Sequence, residues 1–482
     1  MKVLLLNPPF KFKISRDSRW PEYTKSGTLY YPIWLSYSAG VLMNSNHDVM
    51  LLDACAKELS FSETLKEINA FNPDLLIAET STPTFKSDIK FLEELKKSNK
   101  NIKTALVGTH ASVLPNNALK STAVDFVARR EYDYTVLELS DTLEKEGNIS
   151  KIPGLSFKKN RRIFHNIDRK PIQNLDELPF VSKVYREFLN IKDYRYALSL
   201  HPMIQILSSR GCPNFCSFCD WPQVFMGRVY RARSPENFVD ELEYIANYMP
   251  EIKEIFIEDD TFSINKQRVD RICDLIRKRN LDIVWSANVR ADINSHTLRK
   301  MKSAGCRILI VGYESGNQQI LNNIKKGITL NQAKEFTKNA KNAGLKIFGC
   351  FMIGLPGETK ETIGQTLNFA KKLNPDMAFF QQAVPFPGTE LYNWCKQNNY
   401  LITENFDKWL DSNGQLDFLV NYPGLTSNNL REIRDSLTIG FYTSPHHLWQ
   451  TIFHNLDYGE VKRLTKAATD YTHYLIKKRS NK

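Results

Sequence analysis

Ile204-Gln205-Ile206-Leu207-Ser208-Ser209-Arg210-Gly211-Cys212-Pro213-Asn214-Phe215-Cys216-Ser217-Phe218-Cys219 opens as an apolar strand and ends in three cysteines spaced C-x-x-x-C-x-x-C. Three thiolates on one tight loop can hold three irons of a [4Fe–4S] cluster and leave the fourth iron open to an exchangeable ligand. The competing reading is a zinc knuckle, which needs a fourth Cys or His at close spacing. The next cysteine is Cys273 and the nearest histidine is His201, so no such ligand is near. Polar Ser217 and Asp220 beside the last two cysteines argue against a chance grouping of buried thiols.

Downstream, helical and strand-like stretches alternate. Helices are predicted at 235–248, 265–280, 295–304, 331–343 and 360–373, and strands at 254–258, 282–287, 307–311, 345–353 and 376–382. With the strand before the cysteines they make six strand–helix repeats. Barrels of this kind carry their chemistry at the carboxyl ends of the strands. Those ends read Glu258-Asp259-Asp260-Thr261-Phe262, Asn288-Val289-Arg290, Gly312-Tyr313-Glu314-Ser315-Gly316 and Gly354-Leu355-Pro356-Gly357-Glu358. Acidic residues and glycines are common at strand exits, so one such end says little. Four in succession behind the cysteines point to a site.

Upstream, residues 1–146 repeat the alternation, with strands predicted at 2–6, 49–52, 74–78, 104–107 and 125–128 and helices at 33–44, 61–70, 85–98 and 133–145. This α/β pattern predicts a Rossmann-like, flavodoxin-type doubly wound sheet with its ligand beyond the strand carboxyl ends. Asn7-Pro8-Pro9, Asp53-Ala54, Glu79-Thr80-Ser81 and Gly108-Thr109-His110 stand there. Small and polar residues at several strand ends suit a large ligand without saying which. No G-x-G-x-x-G follows the first strand, which disfavours a nicotinamide or flavin dinucleotide. D-x-H-x-x-G is absent too, so His110 is either a ligand or a hydrogen-bonded loop residue.

Composition narrows the class. The 482 residues are 42% hydrophobic and 24% charged, enough to bury more than one core and too apolar for disorder. No run of about 18 apolar residues occurs, and Asn7-Pro8-Pro9 interrupts the apolar start, so a cytoplasmic protein is expected. Lys and Arg exceed Asp and Glu by 65 to 53, a net +12 that fits simple solubility as well as an anionic partner. Eight cysteines without a secretory signal exclude a disulfide scaffold. Residues 147–200, with Pro153, Pro171 and Pro179, read as a connector with one hairpin, and 401–482 as a helical C-terminal extension rich in aromatics. From Gly459 to Lys482 seven basic residues face two acidic ones. That suits either peripheral contact with the inner face of a membrane or a solvated tail.

The three cysteines, with Phe218 just before the last, resemble the radical S-adenosylmethionine (SAM) family. The resemblance implies that Cys212, Cys216 and Cys219 ligate the cluster, whose open iron chelates the amino and carboxylate groups of SAM. One electron from the cluster then cleaves the sulfonium to a 5′-deoxyadenosyl radical. It implies a partial (β/α)6, TIM-like barrel over 201–400. Phe218 belongs to the SAM site, Asp259 or Asp260 accepts from the ammonium, Arg290 pairs with the carboxylate, Glu314 binds ribose hydroxyls and Gly354 lets backbone approach the adenine. The family's usual Gly-Gly-Glu is absent, and the Asp-Asp-Thr-Phe variant leaves open which aspartate points inward.

A doubly wound domain with Asn-Pro-Pro after its first strand, ahead of such a barrel, is similar to the cobalamin-binding class of this family. That likeness implies a cobalamin site on 1–146 formed by Asn7, Pro8, Pro9, Asp53, Thr80, Ser81, Gly108, Thr109, His110 and Glu131. Two departures stand in its floor: Gly108-Thr109-His110 where many relatives have Gly-Gly-Pro-His, and Arg129-Arg130-Glu131 where many have Gly-Glu-Gly-Glu. Phe218–Gln223 and Tyr230–Asn237 resemble a narrower group that includes hopanoid and aminoglycoside pathway proteins. The implied activity is hydrogen abstraction from an unactivated carbon of a small-molecule or lipid-like substrate, with methyl transfer from methylcobalamin. Alternatives are a radical rearrangement (ring contraction, deoxygenation or cyclisation), a tRNA methylthiolating enzyme and a non-catalytic cobalamin sensor. Methylthiolating relatives carry three more cysteines in the N-terminal domain, where this chain has only Cys55. A flavodoxin- or ferredoxin-type electron donor is implied, and nucleic acid is not.

Overall fold

The structure, a computed structural model, describes residues 1–454. β1 (Lys2–Asn7), β2 (Asp48–Asp53), β3 (Leu75–Glu79), β4 (Lys103–Val107) and β5 (Phe126–Ala128) pair in parallel in the order β2-β1-β3-β4-β5. Parallel pairing follows from apolar runs buried on both faces and from a helix between successive strands. The order reverses between β1 and β3, the switch point where a doubly wound sheet opens a crevice at its carboxyl ends. Asn7 and Glu79 stand at that point. The hairpin of the connector, β6 (Leu155–Lys159) and β7 (Arg162–His165), continues this sheet antiparallel to β5, so the sheet has seven strands and is mixed.

β8 (Met203–Ile206) begins the second sheet. A short antiparallel ribbon, β9 (Ser209–Arg210) with β10 (Arg231–Ala232), brackets the cysteine loop. β11 (Glu254–Ile257), β12 (Trp285–Val289), β13 (Cys306–Glu314), β14 (Lys346–Ile353) and β15 (Met377–Gln382) follow β8 in unbroken parallel order. Six parallel strands in sequence with intervening helices are an open, partial barrel. β12 starts three residues later than its apolar pattern predicts, at Trp285, whose indole N–H is held by the carbonyl of Ala304 at 2.7 Å.

The two sheets share one core, in which Val3, Trp34 and Tyr37 of the first half join Ile204 and Val311 of the second. This explains the helix Ile33–Met43, buried from Ile33 to Leu42 and apolar all round. In the C-terminal piece, residues 401–426 form an irregular strap, where Trp409, Leu416 and Leu419 pack with Val384 and Phe386. Helix follows only from Ser427. Tyr442 Oη donates to the carbonyl of Ala378 at 3.0 Å, fastening that helix over β15. No helix among the described residues is long and apolar enough to cross a membrane. The basic stretch Gly459–Lys482 lies outside the described residues.

Candidate active site

The cysteine loop starts at Gly211, whose φ of +83° and close approach admit no side chain: a Cβ would sit 2.3 Å from the Val229 carbonyl. Cys212 and Cys216 are buried and Cys219 is half-buried. One amide organises the turn, Gln223 Nε2 donating to the carbonyls of Cys216, Ser217 and Cys219 at 3.3, 3.2 and 2.6 Å. Ser217 N–H donates to Ile324 and its carbonyl accepts from Leu391, both at 3.0 Å, tying the loop to two other elements. Asn214 Nδ2 donates to Cys212 Sγ at 3.2 Å.

At the carboxyl end of β11 the two aspartates separate. Both oxygens of Asp259 are taken: Oδ1 accepts from the N–H groups of Ser208 and Ser209 at 2.7 and 3.0 Å, and Oδ2 from their hydroxyls at 2.5 and 2.6 Å. Asp259 is therefore a latch on the turn leading into the cysteine loop. Glu258 is buried and Asp260 half-buried, and Asp260 Oδ2 and Glu258 Oε2 lack a hydrogen-bond partner among the described residues. Between them reaches Arg19, which pairs with Glu258 and lies 3.5 Å from Asp260 Oδ1. Its guanidinium stacks 4.0 Å from the Trp221 ring centroid. Burial pushes Glu258 up to about 7 and Asp260 up to about 6, and the Arg19 charge pulls both back down.

The other barrel residues surround the same mouth. Glu314, at φ +64°, accepts from Lys326 Nζ at 2.6 Å. The pair is tucked against Gly312, where a Cβ would meet Glu314 Oε1 at 2.3 Å. Arg290 is buried and donates to the carbonyl of Lys326. Gly354 (φ +83°) gives its N–H to Glu358 Oε2 at 2.7 Å, and its carbonyl accepts from Tyr422 Oη at 2.8 Å. Phe218 is half-buried against the core.

The N-terminal strand ends behave differently. Asn7 Nδ2 donates to Asp53 Oδ1 at 2.8 Å, and Asp53 Oδ2 accepts from Tyr194 at 2.9 Å. Arg16, fully buried, donates to Asn7 Oδ1 at 2.7 Å and to both oxygens of Asp88. Thr80 donates to Asp88 at 2.8 Å, and Ser81 Oγ lies 3.0 Å from Thr84 Oγ1. Glu131 is taken by Arg231 and by the N–H of Ile172 at 3.0 Å. The polar atoms of Asn7, Asp53, Thr80, Ser81 and Glu131 thus join an internal network or the tie to the barrel. Pro8 and Pro9 are buried beneath it, and Thr109 is half-buried. Gly108 (φ +105°) packs on the Thr80 carbonyl. His110 is buried between the rings of Phe85 and Phe406, with Nδ1 3.2 Å from Thr82 Oγ1 and Nε2 lacking a partner among the described residues. Glu79 Oε2 is likewise buried without one. Burial pushes Asp17 up to about 8 and Glu79 well above the glutamate range, the Asp17 charge adding to the latter.

Sequence reading missed Arg16, Arg19, Asp17, Asp88 and Lys326. Asp88 alone carried a signal, since it interrupts the apolar stripe of Phe91, Leu92 and Leu95.

The Radical SAM superfamily model matches residues 206–370, and the B12 binding domain model matches residues 23–140. An uncharacterized methyltransferase of Pyrococcus horikoshii is 34% identical over 455 residues, covering 94% of this chain and 95% of the relative. The chain belongs to the B12-binding radical SAM family. The anaerobic magnesium-protoporphyrin IX monomethyl ester cyclase of Rubrivivax gelatinosus is 26% identical over 403 residues, 81% of this chain and 69% of the cyclase. In fold, the radical SAM methyltransferase TsrM from Kitasatospora setae, with cobalamin and a [4Fe–4S] cluster bound, superposes with a TM-score of 0.71 at 16% identity over 92% of this chain and 91% of TsrM.

Membership makes this a cobalamin-dependent radical SAM enzyme whose cofactors are a [4Fe–4S] cluster, SAM and cobalamin, and which needs an electron donor. The residues fit those groups. Three free thiols on one loop, its turn held by Gln223, suit the cluster, and the unpartnered oxygens of Glu258 and Asp260 suit the ammonium and hydroxyl donors of SAM. Glu79 Oε2 and His110 Nε2 offer unpaired polar atoms at the strand ends of the B12-binding domain.

Proposed function

We propose that this enzyme methylates an unactivated carbon of a small-molecule or lipid-like substrate. In this reading Cys212, Cys216 and Cys219 hold three irons, and Asp260, with Glu258 beside it, accepts from the SAM ammonium. Arg290 pairs with the carboxylate, Glu314 binds the ribose, the Gly354 backbone borders the adenine and Phe218 completes that wall. Glu79, Gly108 and His110 border the cobalamin. The cluster would supply an electron, SAM the hydrogen-abstracting fragment and cobalamin the methyl group. The chain's own task is to orient these groups and keep water out. Tyr196 packs at a tilt against Phe256, centroids 4.7 Å apart, and against Tyr30 at 5.4 Å, an aromatic layer between the domains that suits this exclusion.

The observation that carries the proposal is the pair of unpartnered carboxylate oxygens, on Glu258 and Asp260, at the barrel mouth. Methyl transfer is preferred to cyclisation because the methyltransferase relative is 34% identical and the cyclase 26%. A flavodoxin or ferredoxin is the proposed donor. The cytoplasm is the proposed location, and any membrane contact would rest on Gly459–Lys482.

Anaerobically reconstituted protein supplied with SAM and a reductant is expected to form 5′-deoxyadenosine, and Cys212→Ala, Cys216→Ala or Cys219→Ala to abolish it. Asp260→Asn should weaken SAM binding about tenfold, on the order of 1.4 kcal/mol. Asp259→Asn should instead lower stability, by roughly 2 kcal/mol, because it breaks a four-bond latch. Equal SAM affinity in Asp260→Asn and the unchanged protein would remove Asp260 from the site.

A further inference from the structure

We propose that the surface around Phe215 and Val229 is the docking site of an acidic one-electron carrier protein, an inference that rests on the reading of Cys212, Cys216 and Cys219 as cluster ligands. Cys212 and Cys216 are buried, yet Phe215 between them leaves 61% of its surface in solvent. Its carbonyl carbon is bonded to the backbone nitrogen of Cys216, so this ring is an exposed apolar group covalently next to a ligand, as Pro213 is to Cys212. Electron transfer weakens steeply with distance, and a carrier resting here would sit against the loop that carries the ligands. Val229, 59% exposed, widens the apolar patch, and its carbonyl packs on Gly211, the residue before Cys212. Arg228 joins the two, stacking 4.6 Å from the Phe215 ring centroid and donating to the Asn214 carbonyl at 2.6 Å. Exposed aromatics beside arginine are the composition of a contact surface.

Charge selects the partner. Gly227, the neighbour of Arg228, lines a cavity of about 310 Å3 together with Phe225, Pro171, Arg130, Arg169 and Lys170. Four cations, Arg130, Arg169, Lys170 and Arg228, surround this rim against two carboxylates, Asp168 and Glu138. Asp168 is also shared with Arg129, and Glu131 in the cavity wall is already paired with Arg231. A small apolar centre in a positive field suits a brief, salt-sensitive encounter with an anionic protein. Nucleic acid would meet the same field, but it has no use for a surface that borders a redox ligand. In the encounter the carrier is oxidised by one electron and the cluster is reduced by one, and no proton or ligand moves.

The test uses the reconstituted holoenzyme, following loss of the cluster's visible absorbance and formation of 5′-deoxyadenosine. Electrons come either from reduced flavodoxin or from reduced methyl viologen, a small cation that needs no protein surface. The Lys170→Glu variant should be reduced by flavodoxin several-fold more slowly at low salt, with a weaker salt dependence, and by methyl viologen at an unchanged rate. Equal flavodoxin rates in variant and unchanged protein would overturn the proposal, as would equal losses with both reductants. So would a variant that loses RNA binding while keeping its flavodoxin rate. If the unchanged protein bleaches with methyl viologen yet forms no 5′-deoxyadenosine, the proposed function fails, while the flavodoxin comparison still decides the docking surface.

Discussion

Asp259 and Asp260 are adjacent carboxylates on one strand end, yet one is spent on four hydrogen bonds and the other keeps an oxygen free. A strand end turns successive side chains to opposite sides, so neighbours in sequence meet different surroundings. His110 shows the same dependence on surroundings. Burial between Phe85 and Phe406 lowers it to about 3, below the 6.5 of a free histidine. A lowered folded pKa means stability that is fully present above about pH 6.5 and lost as pH falls from there toward 3. At pH 5 the loss amounts to about 2 kcal/mol. His110→Phe keeps the ring packing and removes the titration. Denaturant unfolding at pH 7.5 and pH 5 should therefore show the variant gaining about 2 kcal/mol on the unchanged protein at the lower pH. Parallel pH profiles would contradict the burial of an uncharged His110.

Between elements, the carboxyl ends of β3 and β4 touch through Gly108. Its φ of +105° disfavours any L side chain, and a Cβ would stand 2.3 Å from the Thr80 carbonyl, backbone that cannot swing aside. Gly108→Ala is expected to cost roughly 2–4 kcal/mol, measured by denaturant unfolding. Gly312→Ala would meet only the flexible ends of Glu314 and Lys326, so its cost in stability should be much smaller. The existence and order of the strands were legible, because apolar runs and helical periodicity are local properties of the chain. The start of β12 was not, since Ile283 and Val284 carry the same apolar pattern as Trp285 and only pairing with β11 and β13 decides where the strand begins.

Across the whole molecule, two buried ion pairs tie the ribbon around the cysteine loop to the first sheet's domain. Arg210 meets Asp133 at 2.8 Å between Trp34 and Tyr37, and Arg231 meets Glu131. Removing one partner strands a buried charge. Asp133→Asn should cost about 3–5 kcal/mol and, because the halves share a core, lower one cooperative unfolding transition. Two separated transitions in the unchanged protein would contradict the shared core.

By itself the sequence determined the three thiols and their spacing, the alternation of strands and helices, and the acidic and glycine-rich strand ends that share one mouth. Each is set by residues within a few positions of one another. The tertiary structure decided which polar atoms remain available. Arg19 reaches Glu258 across 239 positions, Arg16 takes up Asn7 and Asp88, and Asp259 is consumed by Ser208 and Ser209. A buried polar atom must find a partner wherever packing supplies one. That partner comes from another element, and local periodicity carries no record of it.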